Sequence, residues 1–170
     1  MTNEPPFAGL PADLVALGAT CGRLLADRDE TVAVGEGSAG GLMSAALLAA
    51  PGASGWYRGG SVVYTMAAFR GLLDGQVTPP ERLQGASEPW ALHLARSMAV
   101  QLDATWGIGE GGAAGPTGNR YGDPAGHAWV AVAGPVEQAR RVGTDDNRRE
   151  ANMIAFAAAG LELLIEQLRS

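Results

Sequence analysis

Apolar residues recur at helical spacing in three long stretches of the chain. In the first, at 11–27, the large apolar residues lie three or four positions apart, and Pro11 suits a helix start. The second follows Ser87, a favourable N-cap residue, and repeats a large apolar residue at every fourth position. The third, at 148–169, has Asp145 and Asp146 as N-cap candidates. Each stripe predicts a helix that buries one face.

Shorter apolar runs lie between these helices. Runs at 31–34, 56–64, 105–108, 127–133 and 138–142 predict strands, and 42–50 and 65–73 predict short helices. Gly59 and Gly60 interrupt the second strand and indicate a bulge there. Helices and strands interleave along the chain until a final hairpin. This order predicts a layered α/β domain whose sheet is mixed.

The composition fits one folded domain. The chain has 170 residues, of which 46% are hydrophobic and 18% charged, enough apolar material for a core. Residues 1–9, with two consecutive prolines, are predicted to form a flexible arm, and 10–170 a single domain. No uninterrupted apolar run reaches the length of a membrane span, and the first residues lack a signal-peptide pattern. We therefore expect a cytoplasmic protein with no membrane contact.

Charge and ligand chemistry narrow the possible partners. The formal net charge is −6, which argues against a nucleic-acid partner. Cys21 lies on the apolar side of the first helix and is predicted to be a buried hydrophobe. His93 and His127 are not at metal-ligand spacing from a cysteine or an acidic cluster, so we expect no metal. All 12 basic side chains counted as Lys+Arg are arginine, so no lysine can act as a base.

A glycine-rich turn follows the first predicted strand. Residues 35–41 match G-x-G-x-x-G between a strand and a helix, where a phosphate can approach free backbone N–H groups. A dinucleotide site also needs an acidic residue about twenty positions further on, and none lies between Glu36 and Asp74. Two other interpretations remain: a tight turn without ligand, or a site for a small anionic ligand. Ser38 is the hydroxyl in this turn, and it would be a nucleophile if a base lay nearby.

A second glycine-rich segment, at 109–126, is predicted to be a long loop. Loops of this length in compact domains tend to be functional.

Several segments resemble the motifs of one family, in the same order. Residues 32–42 resemble the A-E-S-C-T-G-G-L segment of the CinA C-terminal domain family, and 59–65 resemble its G-G-x-x-x-Y-S. Three later segments, at 85–88, 112–116 and 126–130, resemble its G-A-V-S-E, T-G-I-A-G-P and V-G-T-V-W. The matches keep their order and spacing along nearly the whole chain.

This resemblance implies a three-layer αβα fold with a mixed sheet, and a homo-oligomer. It also implies hydrolysis of the carboxamide of nicotinamide mononucleotide, giving the nicotinic acid nucleotide and ammonia. No metal or organic cofactor is implied. The ligand-binding positions that it points to are Gly37, Ala39, Gly40, Gly41, Thr65, Gly111, Gly112 and Gly115.

The reactive residues of the family are replaced in this chain. Its nucleophilic serine falls at Gly37, its lysine at Phe69 and its asparagine at Met66. Its two threonines fall at Ala39 and Gly111. The backbone-shaping glycines remain, a pattern typical of a fold that persists after the reaction is lost.

Three hypotheses follow. The favoured one is a catalytically degenerate domain that binds a nucleotide or another small anionic ligand through backbone N–H groups at 37–41 and 111–115. The second is an amidohydrolase with a relocated nucleophile at Ser38, and with Glu36, Tyr64 or His127 as proton carrier. The third is a non-catalytic oligomeric interaction module.

Overall fold

A computed structural model describes residues 9–73 and 75–170. Except for Gly9, the predicted arm lies outside the described residues. The elements, in chain order, are α1 (Ala12–Asp27), β1 (Val32–Glu36), α2 (Leu42–Leu48), a 3-10 turn (Ala53–Gly55), β2 (Tyr57–Val62), α3 (Met66–Leu72), α4 (Glu88–Gln101), β3 (Trp106–Ala113), β4 (His127–Ala133), β5 (Gln138–Gly143) and α5 (Arg149–Arg169).

The strands form one mixed sheet in the order β2-β1-β3-β4-β5. β1 is parallel to β2 and β3, whereas β4 is antiparallel to both β3 and β5. Helices α1, α2 and α5 cover one face, and α4 covers the other. The predicted mixed α/β fold with three layers is therefore confirmed.

The main core lies between the sheet and the α1–α5 layer. Val130 and Val132 point into it from β4, and Trp106 and Ile108 from β3. Of the described helices, α5 alone is long and apolar enough to cross a membrane. Its apolar face is buried against α1 and β4, as expected for a core helix.

Glycines in β3 let α4 approach the opposite face of the sheet closely. A Cβ atom at Gly107 would lie 1.8 Å from the Ala95 carbonyl oxygen, and one at Gly109 would lie 1.9 Å from the Ala91 carbonyl oxygen. No side chain fits in that space. The glycines therefore belong to a central strand, and they are needed there because α4 packs directly on the strand backbone.

Two predictions at element ends are wrong. The segment predicted as a loop from 109 begins instead as the second half of β3, which continues to Ala113. The N-cap residue of α5 is Arg148 and not Asp145 or Asp146. Asp146 instead accepts a hydrogen bond from the backbone N–H of Arg148, just before the helix begins. The prediction of Ser87 as the N-cap residue of α4 is confirmed in position, although its hydroxyl donates to the Gln84 carbonyl and accepts no helix N–H.

β2 has an irregularity, but it lies at Arg58 and not at the predicted Gly59 and Gly60, which both pair with β1. The pairing with β1 shifts register between Val32 and Ala33, where Arg58 is skipped.

Candidate functional site

A cleft of about 340 Å³ opens where β1 and β3 end. It lies between the β1–α2 turn, the start of α3 and the segment after β3. The residues that line it are Gly37, Ser38, Val63, Tyr64, Thr65, Met66, Leu83, Gly85, Trp90, Gly111, Gly112, Arg120 and Tyr121. More of its wall is apolar than polar, and its polar residues are Ser38, Tyr64, Thr65, Arg120 and Tyr121.

Ser38 is hydrogen-bonded to a buried carboxylate. Its Oγ donates to Oε1 of Glu110 at 2.5 Å. The other carboxylate oxygen, Oε2, accepts the backbone N–H groups of Gly37 at 3.0 Å and Ala39 at 2.8 Å. Glu110 is fully buried and Ser38 is 5% exposed. The β1–α2 turn is therefore wrapped around a side chain from the middle of β3.

Burial is the main reason that the pKa of Glu110 is raised, to about 7. The nearby carboxylate of Glu36 acts in the same direction. Hydrogen bonds from Ser38, Ala39 and Gly37 favour the charged form and oppose the rise. Near neutral pH this group is therefore partly deprotonated and able to accept a proton.

A second serine–glutamate pair lies at the start of α2. Oε2 of Glu36 accepts the backbone N–H groups of Gly41 and Met43, each at 3.0 Å. Oε1 accepts the Ser44 N–H at 2.9 Å and its hydroxyl at 2.7 Å. Glu36 thus caps the helix from the preceding strand, which satisfies donors that a helix N-terminus leaves free.

The two glutamates engage the backbone donors that an anionic ligand was expected to use. The N–H groups of Gly37 and Ala39 go to Glu110, and that of Gly41 goes to Glu36. Gly40 is exposed and has a positive φ of 68°. An internal carboxylate therefore occupies the place expected for a bound phosphate, and this corrects the predicted mode of anion binding.

The other predicted ligand positions serve several structural roles. Thr65 lines the cleft and accepts the Ala68 N–H as the N-cap of α3. A Cβ atom at Gly111 would lie 1.9 Å from the Gly85 carbonyl oxygen, and one at Gly112 would lie 2.9 Å from Ser38 Oγ. Gly115 does not line the cleft, and its carbonyl accepts a hydrogen bond from Arg149.

The proton carriers predicted for Ser38 are bonded elsewhere. Glu36 is bound to the start of α2, as described above. Tyr64 is largely exposed, and its hydroxyl accepts from Arg149 at 3.0 Å. In His127, Nε2 contacts the Ala86 carbonyl at 3.2 Å, and Nδ1 accepts from Arg141 at 3.3 Å. The carboxylate that is hydrogen-bonded to Ser38 is that of Glu110.

Phe69, which matches the lysine position of the family, does not line the cleft. It packs against Trp90 with ring centroids 5.4 Å apart and against His93 at 5.9 Å. Met66 is at the wall and 38% exposed, and the cleft remains open beside it.

Arg120 supplies a positive charge to the cleft. The residue is exposed, its Nη2 donates to the Tyr121 hydroxyl at 2.7 Å, and its guanidinium lies 5.0 Å from that ring's centroid. Tyr121 in turn donates to the Leu83 carbonyl at 3.0 Å. This arrangement holds a cation at the edge of the cleft.

Sequence reasoning missed Glu110 and Arg120. One signal for Glu110 was available: it is the acidic residue of a segment made otherwise of glycine and apolar residues. An acid in a buried central strand needs partners, and the nearby glycine turn offers N–H groups.

Known proteins of one family are similar to this chain. Residues 15–168 match the family model described as the CinA C-terminal domain. A CinA-like protein of Anaeromyxobacter is 39% identical over 142 residues, which is 81% of this chain and 34% of that protein. A CinA-like protein of Synechococcus elongatus is 32% identical over 125 residues, which is 74% of this chain and 30% of that protein. The chain thus spans about a third of the length of these relatives.

Solved structures share the fold. The competence/damage inducible protein CihA from Agrobacterium tumefaciens superposes with a TM-score of 0.85 at 24% identity, covering 96% of this chain and all of that one. The competence damage-inducible protein A from Klebsiella pneumoniae superposes with a TM-score of 0.83 at 25% identity, covering 92% of this chain and 97% of that one.

Proposed function

This chain belongs to the CinA C-terminal domain family, and from that premise we propose that it binds a nucleotide or another small anionic ligand without performing the family's amidase reaction. The observation that carries the proposal is the state of the cleft. It is open and about 340 Å³ in volume, and the positions that match the family's serine, threonine and lysine hold Gly37, Ala39 and Phe69, of which Gly37 lines it.

Loss of amide hydrolysis is supported by the absence of suitable side chains. Gly37 has no hydroxyl, and the chain has no lysine to replace the one matched by Phe69. Phe69 belongs to an aromatic cluster with Trp90 and lies away from the cleft wall. Removing a nucleophile together with its base abolishes most of the rate enhancement of a hydrolase.

We infer that the anionic group of the ligand binds Arg120. The turn at the base of the cleft has two buried carboxylates, Glu110 and Glu36, that already accept its N–H groups. An added anion there would meet like charge in a region of low dielectric, which is unfavourable. Arg120 lies on the wall, presents several N–H donors in a planar fork, and suits a phosphate or carboxylate.

The apolar wall fits the rest of such a ligand. Val63 and Trp90 are buried, Leu83 is half-buried, and all three line the cleft. A nicotinamide or nucleobase ring buries apolar area against these residues while its phosphate reaches Arg120.

Calorimetric titration of the purified protein with nicotinamide mononucleotide tests the binding. We expect a dissociation constant in the micromolar to millimolar range, and Arg120→Gln to weaken binding at least tenfold. Arg23→Gln is the matched control, because Arg23 is an exposed arginine on α1, outside the cleft, and its loss changes the net charge equally. No heat above dilution at millimolar ligand, for nicotinamide and adenine mononucleotides alike, would overturn the binding proposal.

A homo-oligomer is also proposed, because β2 is an edge strand with exposed apolar neighbours. Val62 at its end is 41% exposed and Leu48 on α2 is 59% exposed. A free strand edge beside apolar side chains favours association. Light scattering after size exclusion tests this: a dimer or larger is expected, and a monomer at high micromolar concentration would contradict it.

A further inference from the structure

We propose that Ser38 and Glu110 form a nucleophile–base pair that hydrolyses small carboxylic esters bound in the cleft. This activity goes beyond ligand binding at Arg120 and does not depend on it. It also differs from the reaction that the family resemblance implies, since neither the serine position nor the base is the same.

The geometry of the pair suits proton transfer. Ser38 Oγ donates directly to Glu110 Oε1 at 2.5 Å, so no bridging water is needed. The remaining oxygen of Glu110 is fixed by two backbone N–H groups, those of Gly37 and Ala39. The carboxylate therefore cannot rotate away from Ser38 without losing both of these bonds.

Ser38 is accessible to a substrate although most of it is buried. It lies on the turn between β1 and α2 and is part of the cleft wall. A Cβ atom at Gly112 would lie 2.9 Å from Ser38 Oγ and 2.6 Å from Ala128 Cβ, so only glycine fits beside the hydroxyl. An ester carbonyl can approach Oγ from the cleft while Glu110 holds it from the interior.

The protonation state of Glu110 is appropriate for a base. Burial raises its pKa to about 7, so that a substantial fraction is deprotonated at neutral pH and its conjugate acid can return the proton. A base whose pKa lies near the working pH is the most effective compromise between availability and strength.

The reaction is a two-step acyl transfer with water as co-substrate. Ser38 Oγ attacks the ester carbonyl carbon while its proton moves to Glu110. The tetrahedral adduct then expels the alkoxide, which takes that proton from Glu110 and leaves as the alcohol. Water attacks the acyl-serine and gives a proton to Glu110; the carboxylic acid departs, and Ser38 recovers the proton.

Esters are favoured over amides as the substrate class. In an amide, the nitrogen must be protonated before the carbon–nitrogen bond can break. An ester releases an alkoxide or aryloxide, which leaves more easily and then takes the single proton that Glu110 carries. The apolar residues Val63, Leu83 and Trp90 provide space for a short acyl or aryl group.

The pair of Ser44 and Glu36 shows what a purely structural pair looks like. It has a similar hydroxyl–carboxylate bond, at 2.7 Å, and the same glycine-rich turn supplies its backbone donors. Ser44, however, does not line the cleft, and Glu36 also accepts its backbone N–H. Ser44→Ala is therefore a matched control for Ser38→Ala.

Two assays test the proposal. The first follows release of 4-nitrophenol from 4-nitrophenyl acetate and butyrate by the full chain and by the variants Ser38→Ala, Glu110→Gln and Ser44→Ala. The second treats the wild-type protein with an alkyl fluorophosphonate, which labels activated serines, and locates the adduct by peptide mass spectrometry. We expect turnover to fall at least 100-fold in Ser38→Ala and Glu110→Gln, and to stay within twofold in Ser44→Ala.

We expect the phosphonate adduct on Ser38 in the wild-type protein, and we expect no adduct on Ser38 in Glu110→Gln. An adduct on another residue, or none after prolonged exposure, would overturn the proposal. So would turnover in Ser38→Ala equal to that of the wild type, because surface groups alone would then account for it. Circular dichroism identifies a variant that fails to fold. In that case, labelling of the wild-type protein still tests whether Ser38 is an activated nucleophile, because it needs no variant.

Discussion

Ser38 and Glu110 lie 72 positions apart in the sequence, yet their side chains are joined by a hydrogen bond of 2.5 Å. The bond links the β1–α2 turn to the centre of β3, two segments that neighbour each other because β1 and β3 are parallel partners in the sheet. The positions matching the family's serine and second threonine, Gly37 and Gly111, lie directly beside this pair. A polar pair therefore lies beside two positions at which this chain has glycine.

Glu110 makes the stability of the protein depend on pH. Its pKa is raised from 4.5 to about 7, so the folded state binds more protons than the unfolded state between these values. Its stabilising contribution is complete below about pH 4.5 and is lost as the pH rises through 7. The loss is on the order of 3 kcal/mol.

Denaturant titration at pH 5 and pH 8 measures this effect. Glu110→Gln mimics the neutral carboxyl, because its oxygen can accept the Gly37 and Ala39 N–H groups while its amide donates to Ser38. We expect the variant to lose less stability than the wild type between the two pH values. Equal losses in both proteins would show that Glu110 titrates at its ordinary pKa.

Ser38→Ala removes the hydroxyl that donates to Oε1 of Glu110. A buried carboxylate oxygen without a donor costs about 1–3 kcal/mol, and the charged form of Glu110 is then less favoured. We expect lower stability at pH 8 and a higher Glu110 pKa than in the wild type. Carbon-13 NMR titration of the glutamate carboxyl groups measures that pKa directly, and an unchanged value would contradict the hydrogen bond.

Gly107→Ala tests the close approach of α4 to β3. The new methyl group would lie 1.8 Å from the Ala95 carbonyl oxygen, so the helix must move away from the sheet. We expect destabilisation of about 1–3 kcal/mol or more in thermal or denaturant unfolding. Gly143→Ala is the control, since nothing lies within 4 Å of the added atom, and its stability should change little.

Gly37→Ser restores the hydroxyl of the family without its base. The added Cβ would lie 3.1 Å from the Glu110 carbonyl oxygen, which requires only a small shift of the backbone. We expect a folded variant that still releases no ammonia from nicotinamide mononucleotide, because the chain has no lysine. Ammonia release above the enzyme-free rate would show that the lysine is dispensable.

Much of the fold could be predicted from the sequence where the pattern is local. The strand His127–Ala133 was predicted with its observed bounds, because its apolar run is enclosed by Gly126 and Gly134. The second half of β3 was missed because a run of glycines usually indicates a loop. Here the glycines exist for a non-local reason, the contact with α4, which no local pattern reveals.

The candidate site was predicted only in part, for the same reason. Ser38 was singled out from the turn in which it lies, but its partner comes from another strand. Glu36 was the obvious acid by proximity in sequence, yet the alternating direction of side chains and the start of α2 commit it to the helix cap. Pairing of Ser38 with Glu110 depends on the strand order, which the sequence left open.

The pH dependence of kcat/KM for hydrolysis of 4-nitrophenyl acetate tests the role of Glu110 most directly. A base must be deprotonated to act, so the account predicts that kcat/KM of the wild-type protein rises with pH and reaches half its plateau near the Glu110 pKa of about 7. Glu110→Gln should give a low value without that transition. A transition that persists unchanged in Glu110→Gln, or a wild-type rate that does not vary between pH 5 and 9, would contradict the assignment of Glu110 as the base for Ser38.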